Sequence, residues 1–229
     1  MNWREYWNAD TPIYVSERHK VLHYAGVARD IAALVPGPDA TVLDFGCGEA
    51  LSADRVAARC LRLLLCDSAA LVRGRLQERF ADEKRIAVLS PEGAQALDER
   101  SLDLVVANSV AQYLTLDELR ALLITWRGQL KGNGRLVVAD VIPPDVGALT
   151  DASALLRFAW RGGFLRSALV GLGRTALSDY RAIREELGLS RYGEAEMIDI
   201  LRSTGFVAER RQPNIGHNQA RMTFVASPA

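Results

Sequence analysis

Thr41-Val42-Leu43-Asp44-Phe45-Gly46-Cys47-Gly48 is the stretch on which the fold is decided. A short, mostly apolar run flows into two glycines one residue apart, the pattern of a buried strand that ends in a tight turn. A helical stretch through Val56 follows, then a second strand, Leu61-Arg62-Leu63-Leu64-Leu65-Cys66, which ends at Asp67. Ser68 stands where it would cap a helix over Ala69–Phe80. The alternation goes on with strands at Arg85–Leu89, Leu102–Ala107 and Arg135–Val141, the last ended by Pro143-Pro144. Between the last two of these, Thr115-Leu116-Asp117-Glu118 has capping-box spacing and opens a helix to Leu130, closed by Gly132-Asn133-Gly134. Strands separated by helices predict βαβ units and a parallel sheet.

Outward from this core the chain changes character. Upstream, Ser16 caps a helix carrying Val21, Leu22, Ala25, Val27 and Ala28 to about Leu34, where Pro36-Gly37-Pro38 stops it. Downstream, residues 148–187 read as helical, with breaks near Gly162-Gly163 and Gly171–Gly173, and a further helix spans Glu194 to Ser203. The last two strands, Phe206–Arg211 and Arg221–Ala226, flank a connection too short for a parallel crossover, so they form an antiparallel hairpin. The expected architecture is one α/β domain over residues 1–229. Its sheet is Rossmann-like, seven-stranded and mostly parallel, with a C-terminal antiparallel hairpin. Within it, 1–39 is an N-terminal helical segment, 40–141 a cofactor-binding core, 142–190 a helical lid insertion, and 191–229 the last helix and hairpin.

Composition narrows the function classes. Of 229 residues 49% are hydrophobic, enough for a sizeable core, and 28 Lys+Arg balance 28 Asp+Glu. A nucleic-acid binder draws its affinity from excess positive charge, so no nucleic-acid partner is expected. Cys47, Cys60 and Cys66 lack the paired spacing of a zinc site and read as small buried hydrophobes in a reducing cytosol. No signal-like apolar core opens the chain and no run of 18 apolar residues interrupts it, so a cytoplasmic protein without a spanning helix is expected.

In open α/β sheets ligands bind beyond the carboxyl ends of the strands, where strand order reverses. Asp44, Gly46, Cys47 and Gly48 lie at such an end. The glycines permit close backbone approach, and the helix start that follows should offer amide N–H groups. Asp44 suits a cationic group such as the α-ammonium of a methionine moiety, and Asp67 can accept from both hydroxyls of a ribose. A dinucleotide site wants a third glycine where Leu51 stands, and the terminal hairpin does not belong to the usual dinucleotide strand order.

Val42-Leu43-Asp44-Phe45-Gly46-Cys47-Gly48, with Asp67, Leu102–Ser109 and the Gly132-Asn133-Gly134-Arg135-Leu136 turn, resembles the class I S-adenosylmethionine-dependent methyltransferases. The resemblance is good over residues 40–140 and holds in outline for the hairpin. It implies S-adenosyl-L-methionine as cofactor, a glycine turn that wraps its methionine and ribose parts, and Asp67 as the ribose ligand. Ala50 stands where the family often has glycine. Glu92, in Ser90-Pro91-Glu92, stands near the place of the acidic residue that meets the adenine amino group.

Further candidates follow from position. Ser68 borders Asp67, while Asn108 and Ser109 end strand four beside the switch point and should line the methionine end. Gln112 and Tyr113 should border the acceptor. Tyr14 belongs to an aromatic N-terminal group with Trp3, Tyr6 and Trp7, which either walls off the sulfonium or staples the terminus to the core. His217 in the hairpin connection is the candidate base, and Asp140 at the end of strand five a second catalytic candidate. His19 and His23 share one helix face but lack a third metal ligand nearby in sequence, so no metal is expected. The apolar, arginine-interrupted insertion reads as a lid over an apolar acceptor, as packing or a dimer surface, or as an interfacial helix pair touching lipid headgroups. The expected activity is methylation of a small, apolar, aromatic or lipid-like molecule. The alternatives are a non-catalytic cofactor-binding regulatory module or a nicotinamide-dependent oxidoreductase.

Overall fold

The computed structural model describes residues 14–176 and 188–229. Trp3, Tyr6 and Trp7, and the end of the helical insertion at 177–187, lie outside the described residues. Seven strands form one sheet in the order β3-β2-β1-β4-β5-β7-β6. They are β1 Thr41–Phe45, β2 Arg62–Cys66, β3 Ile86–Leu89, β4 Leu102–Asn108, β5 Leu130–Val141, β6 Phe206–Arg211 and β7 Met222–Pro228. Strands β1 to β5 pair in parallel, and β7 runs antiparallel to both β5 and β6. The order reverses at β1, which has β2 on one side and β4 on the other.

Strand periodicity divides the core into two layers. Leu43, Leu64, Val105, Leu136 and Val138 face one way, against Leu119, Leu123 and Trp126 of the helix Leu116–Gln129 and Met197, Ile200 and Leu201 of the helix Glu194–Ser203. Val42, Leu63, Leu65, Leu104, Val106 and Val137 face the other way, against Val27, Ala28 and Ile31 of the helix Glu17–Ala32 and against Ala53 and Val56. Ser16 and the Thr115–Glu118 capping box both close helix starts as their spacing predicts.

Three local expectations are corrected. The Leu116 helix stops at Gln129, and β5 begins at Leu130 rather than Arg135. The Gly132-Asn133-Gly134 stretch is a bulged strand start, because pairing jumps from Leu102–Leu130 to Leu104–Arg135. A side chain at Gly134 would press to 3.0 Å on the Leu102 and Lys131 carbonyls, so glycine lets the bulge close. Ser68 does not cap the helix Ala70–Arg79; the Asp67 carboxylate accepts from the Ala69 amide at 2.9 Å instead. In the insertion, helices Ala148–Gly162 and Leu165–Ala176 break at Gly163, whose φ of 72° is left-handed, but no break occurs at Gly171–Gly173. A Cβ on Gly171 would overlap the Val15 side chain, so that glycine serves helix packing.

Candidate active site

The turn after β1 is built from unusual backbone. Gly46 and Gly48 have φ of 75° and 59°, and Ala50 has φ 41°. A Cβ on Gly46 would run into Val110, and one on Gly48 would lie 2.6 Å from the Tyr24 hydroxyl. Glycine is therefore required twice over, by conformation and by space. Ala50 holds its positive φ despite a side chain, at some conformational cost.

The amides of this turn are engaged within the fold. Gly46 and Cys47 donate to the Cys66 carbonyl at 2.7 and 3.0 Å, Gly48 donates to Asp67 Oδ2 at 2.9 Å, and Glu49 donates to Tyr24 Oη at 2.9 Å. The turn spends its donors on welding itself to the end of β2 and to the N-terminal helix. Lys20 of that helix pairs with Glu49 at 2.8 Å. The helix after the turn, Ala53–Ala57, is also too short to offer much of a dipole.

What the site presents is acceptor groups. Asp44 is half-buried and has no hydrogen bond or ion pair among the described residues; burial, then the charge of Asp67, push its carboxyl up to about 7. Burial also raises Asp67, with the Ala69 and Gly48 amides pulling the other way, and its oxygens keep lone pairs for further donors. Asn108 Oδ1, at the end of β4, is buried without a partner. Unpaired acceptors call for a ligand that donates and carries positive charge. An ammonium, a sulfonium and a pair of ribose hydroxyls meet that description, and the phosphates of a dinucleotide do not. Ser68 is exposed beside Asp67, and Glu92 is exposed in the first turn of the short helix Pro91–Gln95, capped by Ser90. Burial pushes the thiol of Cys66 up to about 12 and that of Cys47 well above its usual value, so neither is a nucleophile.

Next to the turn, β4 and β5 end in a strained pair. Ser109 has φ 60° and Asp140 φ 59°, both in the left-handed region that favours glycine. Asp140 lies where β5 bulges against β7, the pairing shifting between Val138 and Val141. The bulge turns its carboxylate toward Ser109, which donates at 2.7 Å, and toward Arg221, which donates at 2.6 Å. Asn214 holds the other oxygen at 3.5 Å, and Arg221 reaches Asp151 of the insertion at 3.1 Å. Burial opposes the Arg221 charge, but Asp140 and then Asp151 outweigh it and raise its pKa.

All three histidines of the chain converge above the turn. The ring centroids of His19, His23 and His217 lie 6.2–6.4 Å apart, with planes crossing at 76–82°. His217 stacks on Phe158 of the insertion at 4.6 Å, His19 stacks on Phe164 at 5.1 Å, and His23 meets Tyr24 edge-on at 5.3 Å. Tyr14 closes the ring, 5.3–5.8 Å from His19, His23 and Tyr24. Burial, then the charge of His217, lower His19 to about 4 and His23 to about 3; burial lowers His217 too, against the pull of Asp140. The imidazoles are neutral at pH 7. The third imidazole absent from the local sequence is thus present in space, yet no group of three His, Cys, Asp or Glu among the described residues is arranged to hold a metal. Gln112 is buried in the turn Ala111–Tyr113, with its Oε1 unpartnered, and Tyr113 lies beside it.

Comparison with known proteins fits this geometry. Residues 43–136 match the model of a methyltransferase domain. That match takes in the glycine turn, Asp67 and Asn108, so the candidate site lies in the segment that is similar to methyltransferase domains. Two solved structures share the fold across almost the whole of this chain and a third across part of it. Magnesium protoporphyrin IX methyltransferase of Synechocystis PCC 6803, solved with bound SAH, is 19% identical, with 99% of this chain and 93% of that one covered and a TM-score of 0.60. DhpI in complex with SAH is 14% identical, with 99% and 95% covered and a TM-score of 0.62. A phosphoethanolamine N-methyltransferase of Haemonchus contortus, at 23% identity and TM-score 0.51, covers 63% of this chain with 32% of its own. Among curated proteins no sequence matches. Identities this low establish the fold, and a fold that serves a porphyrin and phosphoethanolamine alike does not name the acceptor.

Tyr24, Lys20, Arg221, Asp151 and Asn214 are not marked by any local pattern. They come from helix and hairpin, and only the fold brings them to the site. Tyr24, directly after His23 on the same helix, was the nearest available signal.

Proposed function

We propose that this methyltransferase transfers a methyl group from S-adenosylmethionine to a small apolar, aromatic or lipid-like acceptor, with His217 taking the acceptor's proton. The observation that carries the reading is the uneven chemistry of the site: the Asp44 carboxyl and Asn108 Oδ1 have no partner among the described residues and Asp67, near Arg73, keeps lone pairs, beside a glycine turn open to nothing bulkier than hydrogen. Asp67 takes the ribose hydroxyls, and Asp44 and Asn108 take the ammonium end, with Ser68, Ser109 and the backbone at Cys47 lining the remainder. Glu92 is the acidic group available for the adenine edge.

When bound, the cofactor supplies a methyl carbon on a sulfonium that leaves as a neutral thioether, so no acid is needed. The chain's task is to position the acceptor, to exclude water and to remove a proton. Phe158, Phe164, Tyr14 and the three neutral imidazoles form a wall with few hydrogen-bond demands, which suits an apolar or aromatic acceptor. Gln112 and Tyr113 border it from the β4 side, and the unpartnered Gln112 Oε1 can accept from an acceptor hydroxyl or amine. His217 is neutral and therefore able to receive a proton, while Asp140, just behind it electrostatically, favours the imidazolium that results. Asp140 itself is fully engaged by Ser109, Arg221 and Asn214, so we assign it the orienting role and His217 the proton.

Calorimetric titration with S-adenosylhomocysteine and with NADH tests the donor: the first is expected to bind and the second not, and the reverse result overturns the reading. Mass spectrometry of reactions with a panel of phenols, fatty acids and polar amines tests the acceptor. Methyl gain confined to the polar amines removes the apolar assignment, and tight cofactor binding with no methylated product anywhere favours the regulatory module.

A further inference from the structure

The two helices of the insertion keep a part of their surface out of the fold, and that part has a definite chemistry. On the inner side Ala159 and Ala168, with Phe164 between the two helices, pack against Leu22 of the N-terminal helix and Val15 just before it. Their outer faces are regular. On Ala148–Gly162 the exposed positions are Leu149, Ser153, Arg157, Trp160 and Arg161, three to four apart along one side, and on Leu165–Ala176 they are Arg166, Leu169, Val170, Gly173 and Arg174. Leu149 is 87% exposed and Trp160 74%, and Leu169 and Val170 are more than half exposed. A buried-core explanation is excluded by that exposure. The single acid in the two helices, Asp151, is turned inward onto Asn218 and Arg221. Arg157, Arg161, Arg166 and Arg174 thus stand among exposed apolar side chains with no acid of their own helices to neutralise them. Arg18 adds another cation at the junction, its Nε bonded to the Gly162 carbonyl.

We propose that this outer face docks the protein on an anionic lipid bilayer. Trp160, Leu149, Leu169 and Val170 would enter the headgroup–acyl boundary, and the arginines would meet lipid phosphates and carboxylates. An amphipathic helix lying in the interface needs this combination of large apolar side chains and basic residues in neighbouring positions. A protein of zero formal net charge gains such a field only by segregating its cations, and these two helices do so, with four arginines against the single, inward-turned Asp151. A second copy of the chain fits less well, because a self-complementary interface would set these arginines against each other. No helix among the described residues is long and apolar enough to cross a membrane, so the contact is peripheral. The inference rests on this face alone and stands apart from the acceptor assignment.

The test is co-sedimentation of the full chain with vesicles of phosphatidylcholine alone and of phosphatidylcholine mixed with phosphatidylserine. Binding is expected only to the mixed vesicles, falling as salt rises, with a blue shift of tryptophan emission that Trp160→Ser abolishes. Each of Arg157→Gln, Arg161→Gln, Arg166→Gln and Arg174→Gln should lower partitioning about fivefold. Equal binding to both vesicle types, or none to either, overturns the proposal, whatever the variants do. So does salt-sensitive binding that survives the four arginine substitutions together in a variant with unchanged thermal unfolding. Sedimentation velocity gives the rival outcome: a dimer lost on Trp160→Ser, without vesicle binding, makes the face an interface between copies.

Discussion

The glycine turn and the histidine cluster lie side by side, yet they are made in opposite ways. The turn is made of backbone: four consecutive amides find partners within the turn's own surroundings, and Gly46 and Gly48 supply the φ angles that allow it. The cluster is made of side chains drawn from the N-terminal helix, the insertion and the hairpin, with His19 and His217 almost the whole chain apart. A backbone device leaves a local mark in sequence; a convergence of side chains leaves none. The two should therefore fail differently when disturbed.

The largest effect is expected on the side-chain half. His217→Ala should lower kcat by roughly 100- to 10,000-fold, the usual range for a lost general base, with affinity for S-adenosylhomocysteine within a factor of about two. Steady-state kinetics beside calorimetry check this, and normal turnover takes His217 out of the chemistry. On the backbone half, Asp67→Ala should weaken the same affinity by about 100-fold or more, since charged hydrogen bonds contribute about 1.5–3 kcal/mol each. It should also lower the melting temperature, because the Gly48 and Ala69 amides lose their acceptor. Unchanged affinity would mean that the two halves do not divide cofactor and acceptor between them.

Arg221→Met probes the seam between the halves. It strands Asp140 and Asp151, both half-buried, and should cost about 3 kcal/mol in chemical denaturation while leaving cofactor affinity close to wild type. A variant as stable as wild type would show that the Asp140–Arg221–Asp151 chain holds nothing.

The smallest effect is spread over pH. His19 and His23 have folded values of about 4 and 3, below the ordinary 6.5, so the unfolded chain takes up protons that the fold refuses. Their penalty is absent above pH 6.5 and grows as pH falls toward 4 and, for His23, toward 3. Asp44 acts in the opposite sense, being raised from 3.8 to about 7, so that stability on its account is lost as pH rises through that window. His217 adds to the imidazole side and Asp67 to the carboxyl side, so three lowered imidazoles outweigh two raised carboxyls. The unfolding free energy from urea titrations should fall between pH 6.5 and 4.5, by about 1.4 kcal/mol for each unit and net proton. In His19→Phe/His23→Phe the slope should reverse, leaving the Asp44 trend exposed; an unchanged slope would place the titration elsewhere.

This division explains what could be read beforehand. The succession of strands and helices, the terminal hairpin, the Thr115–Glu118 capping box and the Gly46–Gly48 turn are local patterns, and they appear where the residues predict them. The start of β5 was misplaced because Gly132-Asn133-Gly134 spells a turn in sequence, whereas pairing with Leu102 draws it into a bulge. Ser68 looked like the better cap, but the second role of Asp67, bridging Ala69 and Gly48 at once, depends on the β1 turn folding back beside it. Gly171 and Gly173 resemble a helix break, but the helix runs through both, and Gly171 instead makes room for Val15. The Asp140–Arg221–Asp151 chain and the third imidazole required contacts over 60 residues or more, beyond any sequence window.

The solitary carboxyl of Asp44 has one more consequence. Near neutrality it sits about half protonated, and an arriving ammonium or sulfonium would drive that proton into the medium. Heats of ligand addition should then vary with the ionisation enthalpy of the buffer chosen, and the enzyme would hold its cofactor more tightly in alkaline solution than in mildly acid solution.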